Sequence, residues 1–224
     1  MNLKIKLLST VAIALYFFTG CNSATTTGES QTDTAASQSM PMTTDSTTKM
    51  DNMQMDNAMM GAMNAMMSKM SGMKMTGDFD MDFANMMIEH HQGAIEMAQA
   101  EITDGKDEKI KAMARQIITK QKEEQQKLRD FVNSYKPSGM KHGEGELEKS
   151  MSDMESKMKS MQMTGDTDKD FASMMIHHHE KGIAMSEKEL KNGMSNKLKQ
   201  MAQNMIADSE KDIKKLKDLL NNPK

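Results

Sequence analysis

Apolar residues recur three and four positions apart along most of the chain after position 75. One such stripe is Phe83, Met86, Met87, His90, Ala94, Met97 and Ala98. This spacing is typical of one face of an α-helix, and no segment alternates apolar and polar residues as a half-buried strand does. Acidic residues before the stripe suit a helix N-terminus, and Gly105 follows it as a stop or turn. The pattern predicts long helices and no strands.

The whole pattern occurs twice. The segment MKMTGDFDMDFANMMIEHH at Met73 returns as MQMTGDTDKDFASMMIHHH at Met161, a constant offset of 88 residues. Each copy predicts a hairpin of two helices. Two hairpins supply four long helices, enough for an all-α four-helix bundle. The methionine-rich segments before each copy are expected to add helices at its side, although Gly61 and Gly72 weaken that interpretation for the first one.

The chain divides into five predicted parts. These are a signal peptide (1–20), a lipidated cysteine with a disordered Ser/Thr/Met-rich tether (21–55), a first Met-rich segment with its hairpin (56–136), a linker (137–145), and a second Met-rich segment with its hairpin (146–224). The tether assignment rests on composition, because a segment with few large apolar residues cannot bury enough surface to fold.

The first twenty residues have the layout of a secretory signal. Lys4 and Lys6 precede an apolar run that is too short to span a bilayer. Small residues directly before Cys21 resemble the lipobox of bacterial lipoproteins, which implies acylation of this cysteine after cleavage. A soluble secreted protein with a leftover thiol and an uncleaved signal anchor are the alternatives. Cleavage removes two lysines and no acid, so the formal net charge changes from −3 to −5.

Methionine dominates the composition. The chain has 31 methionines, no Trp, two Tyr and six Phe. Methionine packs flexibly and specifies a core poorly, and its sulfur is open to oxidation outside the cytoplasm. The high methionine content therefore indicates that the protein uses the sulfur atom itself and not only the apolar side chain. The mildly acidic charge does not suggest nucleic acid as a partner.

Histidines accompany the methionines on the apolar face of the first helix in each copy. A helical wheel at about 100° per residue places both histidines of the first copy on that face and Glu89 opposite. The counterpart of Glu89, His177, is expected to be exposed and is not predicted as a ligand. Imidazole and thioether groups spaced three or four residues apart suit soft Cu(I). The predicted metal ligands are Met86, Met87, His90, His91, Met97, Met174, Met175, His178, His179 and Met185.

Further thioethers form short pairs or lie on the second helices. Additional metal contacts are predicted for Met73, Met75, Met113, Met161, Met163 and Met201. Thioethers need no deprotonation, so such contacts keep their affinity at acidic pH better than thiolates. The ion is predicted to be Cu(I), with Ag(I) or Cu(II) as alternatives.

Three other interpretations remain open. A methionine stripe at helical spacing is most often simply core, and a Met-rich module can serve as an adaptable interaction surface. A di-iron enzyme is less favoured, because its bundle uses Glu-x-x-His where this chain has Met87-x-x-His90. Zinc is a weaker option, since methionine is a poor zinc ligand. No nucleophile–base arrangement is visible, so we do not expect an enzyme.

The motif F-x-x-M-M-I-x-H-H, followed by Met97 and the turn glycine, resembles the bacterial domain of unknown function 305. The resemblance covers residues 75–135 and 163–222 and implies a ferritin-like helical fold, with copper binding and resistance in some exported members. The family's second-helix Gln and Glu appear as Gln121 and Glu124, but as Ser209 and Asp212 in the second copy. The proline common before the family's histidine pair is Glu89 or His177 here.

Together these features predict a lipoprotein of the bacterial cell envelope, anchored through Cys21 and facing the periplasm or exterior. It is expected to bind copper ions for buffering, sequestration or resistance. The membrane, through the lipid anchor, and copper-handling proteins are its expected partners.

Overall fold

A computed structural model describes residues 45–137, 139–143 and 145–221, with the side chains of residues 45–57 outside that description. The predicted signal peptide, Cys21 and most of the predicted tether lie outside the described residues. The described part contains six helices and no strands: α1 (Asp45–Ser71), α2 (Phe79–Asp104), α3 (Glu108–Ser134), α4 (Glu146–Lys159), α5 (Thr167–Asn192) and α6 (Asn196–Asn221).

Two helical hairpins form the predicted bundle. Helix α2 pairs with α3, α5 pairs with α6, and the hairpins meet where α2 packs on α5 and α3 packs on α6. Helix α1 lies on α2, α4 lies on α5, and α1 also contacts α4 and α5. The all-α fold and the four-helix bundle are confirmed, with α1 and α4 as its Met-rich additions. None of the described helices is both long and apolar enough to cross a bilayer.

The methionine-rich helix α1 is longer than the composition indicates. It begins at Asp45, inside the segment assigned to the tether, and continues through Gly61 to Ser71. A side chain at Gly61 would meet open space, so the glycine is neither a kink nor a close approach. Packing against α2 supplies the stabilisation that the local sequence lacks. The predicted weakness at Gly61 does not interrupt this helix.

Methionine is the commonest residue of the core. The largest fully buried side chains include three phenylalanines, one isoleucine, one leucine and seven methionines: Phe79, Phe83, Phe171, Ile117, Leu128, Met59, Met63, Met66, Met70, Met86, Met87 and Met97. The thioethers of α1 reach this core because Gly93 of α2 has no side chain. A Cβ at that position would collide with the Sδ of Met66. The close α1–α2 approach therefore depends on one glycine.

Acidic residues begin α2 and α5 as predicted, and each one has a distinct partner. Asp78 is the N-cap of α2, and its carboxylate accepts from the N–H of Met81. Asp82 instead turns back to the preceding loop, where its carboxylate accepts from both N–H and O–H of Thr76 and from the N–H of Gly77, at 2.8–2.9 Å. Asp170 repeats the arrangement with Thr164 and Gly165. The Thr-Gly pair and the aspartate five residues after its glycine thus form a loop clamp in both repeats.

We expect Asp82→Ala to lower the free energy of unfolding by about 2–4 kcal/mol, because three donors around a buried carboxylate lose their acceptor. Asp82→Asn keeps one acceptor oxygen and should lose less. Urea unfolding monitored by circular dichroism measures both values. Equal stability of the Ala variant and the unmodified protein would contradict the clamp.

Candidate metal centre in the histidine-methionine core

Two histidines from the two repeats meet at the centre of the bundle. The ring centroids of His90 on α2 and His178 on α5 are 3.6 Å apart, and the ring planes differ by 26°. Gly182 of α5 allows this stacking, because a Cβ there would lie 3.2 Å from Cε1 of His90. The equivalent position of the first repeat is Ala94. The centre is therefore slightly asymmetric.

One hydrogen bond orients the stacked pair. Nε2 of His178 lies 2.8 Å from the backbone carbonyl oxygen of His90. A carbonyl only accepts, so Nε2 carries the hydrogen and Nδ1 of the neutral ring keeps its lone pair. Nδ1 of His178 and both ring nitrogens of His90 are buried with no hydrogen-bond partner among the described residues. Buried polar atoms usually have partners, so these nitrogens are available for a ligand.

The neighbouring histidine of each repeat has a different environment. Nε2 of His91 lies 3.0 Å from Oε2 of Glu124, within ion-pair distance, although neither ring nitrogen makes a hydrogen bond of good geometry with described residues. His179 has a buried Nε2 with no hydrogen-bond partner among the described residues, and it lies near the cation of Lys120. Helix α3 of the first repeat therefore places a carboxylate beside His91 and a lysine near His179.

His90, His178 and His179 are held in the neutral form. Burial lowers the pKa of His90 and of His178 well below the ordinary value, and the surrounding imidazoles lower it further. Burial, His91 and Lys120 lower the pKa of His179 to about 3. A neutral imidazole is the form that binds metals. These rings are therefore ready to coordinate an ion without first releasing a proton at neutral pH.

All ten predicted ligands are buried. Their exposed fractions lie between 0 and 4 %: Met86, Met87, His90, His91, Met97, Met174, Met175, His178, His179 and Met185. Of the six additional methionines, Met113 is buried, whereas the others are partly buried and pack against the core: Met73, Met75, Met161, Met163 and Met201. The core thus collects the sulfur and imidazole groups of both repeats.

The predicted exposure of His177 is wrong. Its exposed fraction is 6 %, and its Nε2 has no hydrogen-bond partner among the described residues. Helix α4 packs on α5 and covers the face that a four-helix bundle alone would leave in solvent. Burial and the nearby cation of Lys181 lower the pKa of His177. Its counterpart Glu89 stays half-exposed, 3.7 Å from Nζ of Lys69 on α1.

Sequence reasoning also missed some thioethers and polar neighbours of this centre. Helix α1 contributes five buried methionines to the core: Met59, Met63, Met66, Met67 and Met70. Their three- and four-residue spacing was a usable signal. On α3, the amide of Gln125 donates to the carbonyl of Ile88 at 2.9 Å, which ties α3 to the histidine-bearing helix. Only the tertiary contacts reveal that role.

Each end of the bundle carries a pair of carboxyl groups in which the glutamate is fully buried. Asp168 accepts from the N–H groups of Lys106 and Asp107 in the α2–α3 turn, and Glu101 of α2 lies against it. Asp80 and Glu189 form the reciprocal pair at the other end. Burial is the main reason why the pKa of Glu101 is raised to about 9, and the adjacent Asp168 carboxyl raises this pKa further. Glu101 is therefore protonated at neutral pH.

This pair predicts a pH dependence of stability. Below pH about 4.5 Glu101 is protonated in both states, whereas between that value and pH 9 only the unfolded state loses the proton, so stability falls as pH rises. Glu101→Gln mimics the protonated form and should recover about 1–3 kcal/mol at pH 8, since one pKa unit corresponds to about 1.4 kcal/mol. Urea unfolding of both proteins from pH 5 to 9 measures how the free energy of unfolding depends on pH. A variant curve parallel to that of the unmodified protein would refute this assignment.

Two solved structures are similar to the chain, and a family model matches most of its length. A crystal structure of a DUF305 fragment from Deinococcus radiodurans is similar at 16% identity, with a TM-score of 0.49, over 64% of this chain and 95% of that one. A "putative secreted protein DUF305" from Streptomyces coelicolor is similar at 19% identity, with a TM-score of 0.51, over 66% of this chain and 93% of that one. No curated protein matches the chain. The family described as Domain of unknown function (DUF305) matches residues 24–132 and again 133–220, so the protein belongs to this family.

Proposed function

We propose that this protein binds Cu(I) or Ag(I) through the histidine-methionine core and acts in copper buffering, sequestration or resistance. One observation carries the proposal: among the described residues, buried imidazole nitrogens of both repeats have no hydrogen-bond partners, in a core rich in thioethers. An unpartnered buried polar atom costs about 1–3 kcal/mol. A bound ion removes that cost.

The donor set favours a soft monovalent ion. Neutral imidazole and thioether groups suit Cu(I), whereas carboxylates and water suit hard cations. Neutral ligands leave the charge of the ion uncompensated, and an uncompensated charge in a buried core has a large unfavourable free energy. The carboxylate of Glu124, 3.0 Å from His91, supplies a nearby counter-charge. The first repeat therefore supports the tighter site.

The stacked arrangement favours separate ions in the two repeats. Lone pairs of an imidazole lie in the ring plane, so the nearly parallel rings of His90 and His178 do not direct them at each other. One ion held between these two rings would require them to unstack. Each imidazole instead lies one helical turn from a methionine of its own helix, Met86 or Met174. We infer at least one ion per repeat.

Lipid anchoring at Cys21 is part of the same proposal. An exported, anchored bundle would meet copper ions outside the cytoplasm, facing the periplasm or exterior, and pass them to copper-handling partner proteins. The secretion named for the Streptomyces coelicolor protein supports export. The lipobox-like segment before Cys21 supports the anchor.

The burial of the methionines argues against a sticky interaction module. The five methionines of α1 between positions 59 and 70 that face the core are buried, and the exposed large hydrophobic residues of the described chain are Met140 and Met194. A di-iron centre is equally disfavoured, because Met87 and Met175 occupy the positions where such a centre needs carboxylates. The carboxyl pairs lie at the ends of the bundle instead.

Double replacement of the stacked imidazoles, His90→Gln with His178→Gln, should weaken the tightest Cu(I) binding at least tenfold, because each repeat loses one of its nitrogen donors. Competition against a chromophoric Cu(I) chelator under anaerobic conditions measures the change. His142→Gln lies outside the core and should bind Cu(I) as the unmodified protein does. Unchanged competition by the folded double variant would reject these histidines as ligands.

Replacing methionine globally with norleucine separates metal binding from packing. Norleucine keeps the shape and apolar surface of the side chain but has no sulfur donor. The substituted protein should remain helical but bind fewer Cu(I) ions per chain. Metal analysis after gel filtration measures this number. Full metal retention by the norleucine protein would show that the thioethers serve only as core.

A further inference from the structure

A second group of potential ligands lies at one end of the bundle, away from the stacked histidines. Asp78, Asp80 and His142 each offer one ligand atom, and these atoms lie within 4.8 Å of one another. Both aspartates are buried, and His142 is half-buried. The side chain of His142 thus forms the solvent side of the cluster, where an ion would enter.

The imidazole of His142 is oriented as in many metal sites. Its Nδ1 lies 3.1 Å from the carbonyl oxygen of Met140, which only accepts, so Nδ1 carries the hydrogen. Nε2 therefore presents its lone pair 3.5 Å from Oδ2 of Asp80. Metal-binding histidines commonly donate their other N–H to a backbone carbonyl in this way. Two electron-rich atoms facing each other need a proton or a cation between them.

Glu189 supplies an independent indication of a ligand. Its exposed fraction is 0 %, and neither carboxyl oxygen has a hydrogen-bond donor among the described residues. The carboxyl lies against that of Asp80 and folds back over Gly193, where any Cβ would collide with it. Two carboxyl groups in contact need a shared proton or a cation between them, as do Nε2 of His142 and Oδ2 of Asp80.

The backbone holds the carboxylates in place. Oδ1 of Asp80 accepts from the N–H of Ser195 at 2.8 Å, and Oδ2 accepts from the N–H of Met194 at 2.9 Å. Asp78 is fixed as the N-cap of α2, and the hydroxyl of Tyr135 lies 3.3–3.4 Å from both aspartates. Donors from α2, the α5–α6 turn and the connection after α3 thus converge before any ion binds.

The second repeat provides a natural comparison. Asp166 and Asp168 occupy the positions of Asp78 and Asp80. There, however, Nζ of Lys169 lies 2.8 Å from Asp166, and the counterpart of this lysine in the first repeat is the uncharged Met81. The second repeat therefore has a lysine cation beside Asp166, whereas the first repeat has the uncharged Met81 at that position.

We propose that Asp78, Asp80 and His142 bind a divalent transition-metal cation of the Zn²⁺ class, with Glu189 as a further oxygen ligand. Mixed carboxylate and imidazole donors suit such borderline ions and exclude soft Cu(I) as the preferred occupant. The ion would join the start of α2 to the connection between the two hairpins and to the α5–α6 turn. This inference is independent of the proposed copper function.

Equilibrium dialysis of the full chain against Zn²⁺, with Co²⁺ as a spectroscopic probe, tests this site. We expect Asp78→Asn and His142→Gln each to weaken binding at least tenfold and to abolish the Co²⁺ ligand-field absorption. Asparagine caps a helix as well as aspartate, so Asp78→Asn keeps the fold, and His142→Gln alters only the connection. Asp166→Asn is the matched control in the second repeat and should bind as the unmodified protein does.

Unchanged Zn²⁺ affinity in both Asp78→Asn and His142→Gln, or equal losses in Asp166→Asn, would overturn the assignment. Zn²⁺ held by the core histidines is recognised by its loss in the His90→Gln, His178→Gln protein and its persistence in His142→Gln, and this outcome also overturns it. Chelator competition with Cu(I) on Asp78→Asn and His142→Gln should show no change, so each site can fail without the other.

Discussion

The packing of α2 on α5 brings buried, neutral imidazoles together in a core composed largely of methionine. Gly182 leaves room for the stacked ring, since a Cβ there would lie only 3.2 Å from Cε1 of His90, and His178 is held by the carbonyl of His90 itself. Methionine adapts to such an irregular centre better than branched residues, because its unbranched chain has three rotatable bonds. The other ring nitrogens of His90 and His178 are buried without a hydrogen-bond partner among the described residues. Their burial weakens the apo fold and supports the proposed binding of a soft ion.

The ends of the bundle have the opposite character. Asp80 and Asp168 each accept two or more backbone N–H groups from the turn of the other hairpin, so the repeats clamp each other reciprocally. Asp82 and Asp170 fix the loops that precede α2 and α5. Rigid polar ends around an adaptable centre allow the helices to keep their register while methionine side chains rearrange around a ligand.

Divergence between the copies distinguishes their sites. Glu124 places a carboxylate beside His91, whereas its counterpart Asp212 pairs with Lys120 at 3.2 Å. At the bundle ends, Lys169 accompanies Asp166, whereas His142 accompanies Asp80. The proposed soft-ion core and the proposed divalent site would thus use separate donor sets, thioether with imidazole in one and carboxylate with imidazole in the other. Ligand chemistry, rather than affinity alone, would keep the two kinds of ion apart.

The sequence by itself determined the helical hairpins, the duplication and the burial of the ten core residues, because helical periodicity and a repeated motif are local properties of the chain. It did not determine which outer faces are covered. His177 is buried because α4 lies over it, and the methionines of α1 from Met59 to Met70 are buried because α2 offers this helix a surface. The approach of His142 to Asp80, and of Glu189 to both aspartates, joins residues that are distant along the chain. Only tertiary packing sets such distances, since no periodicity relates a linker histidine to the first turn of a helix.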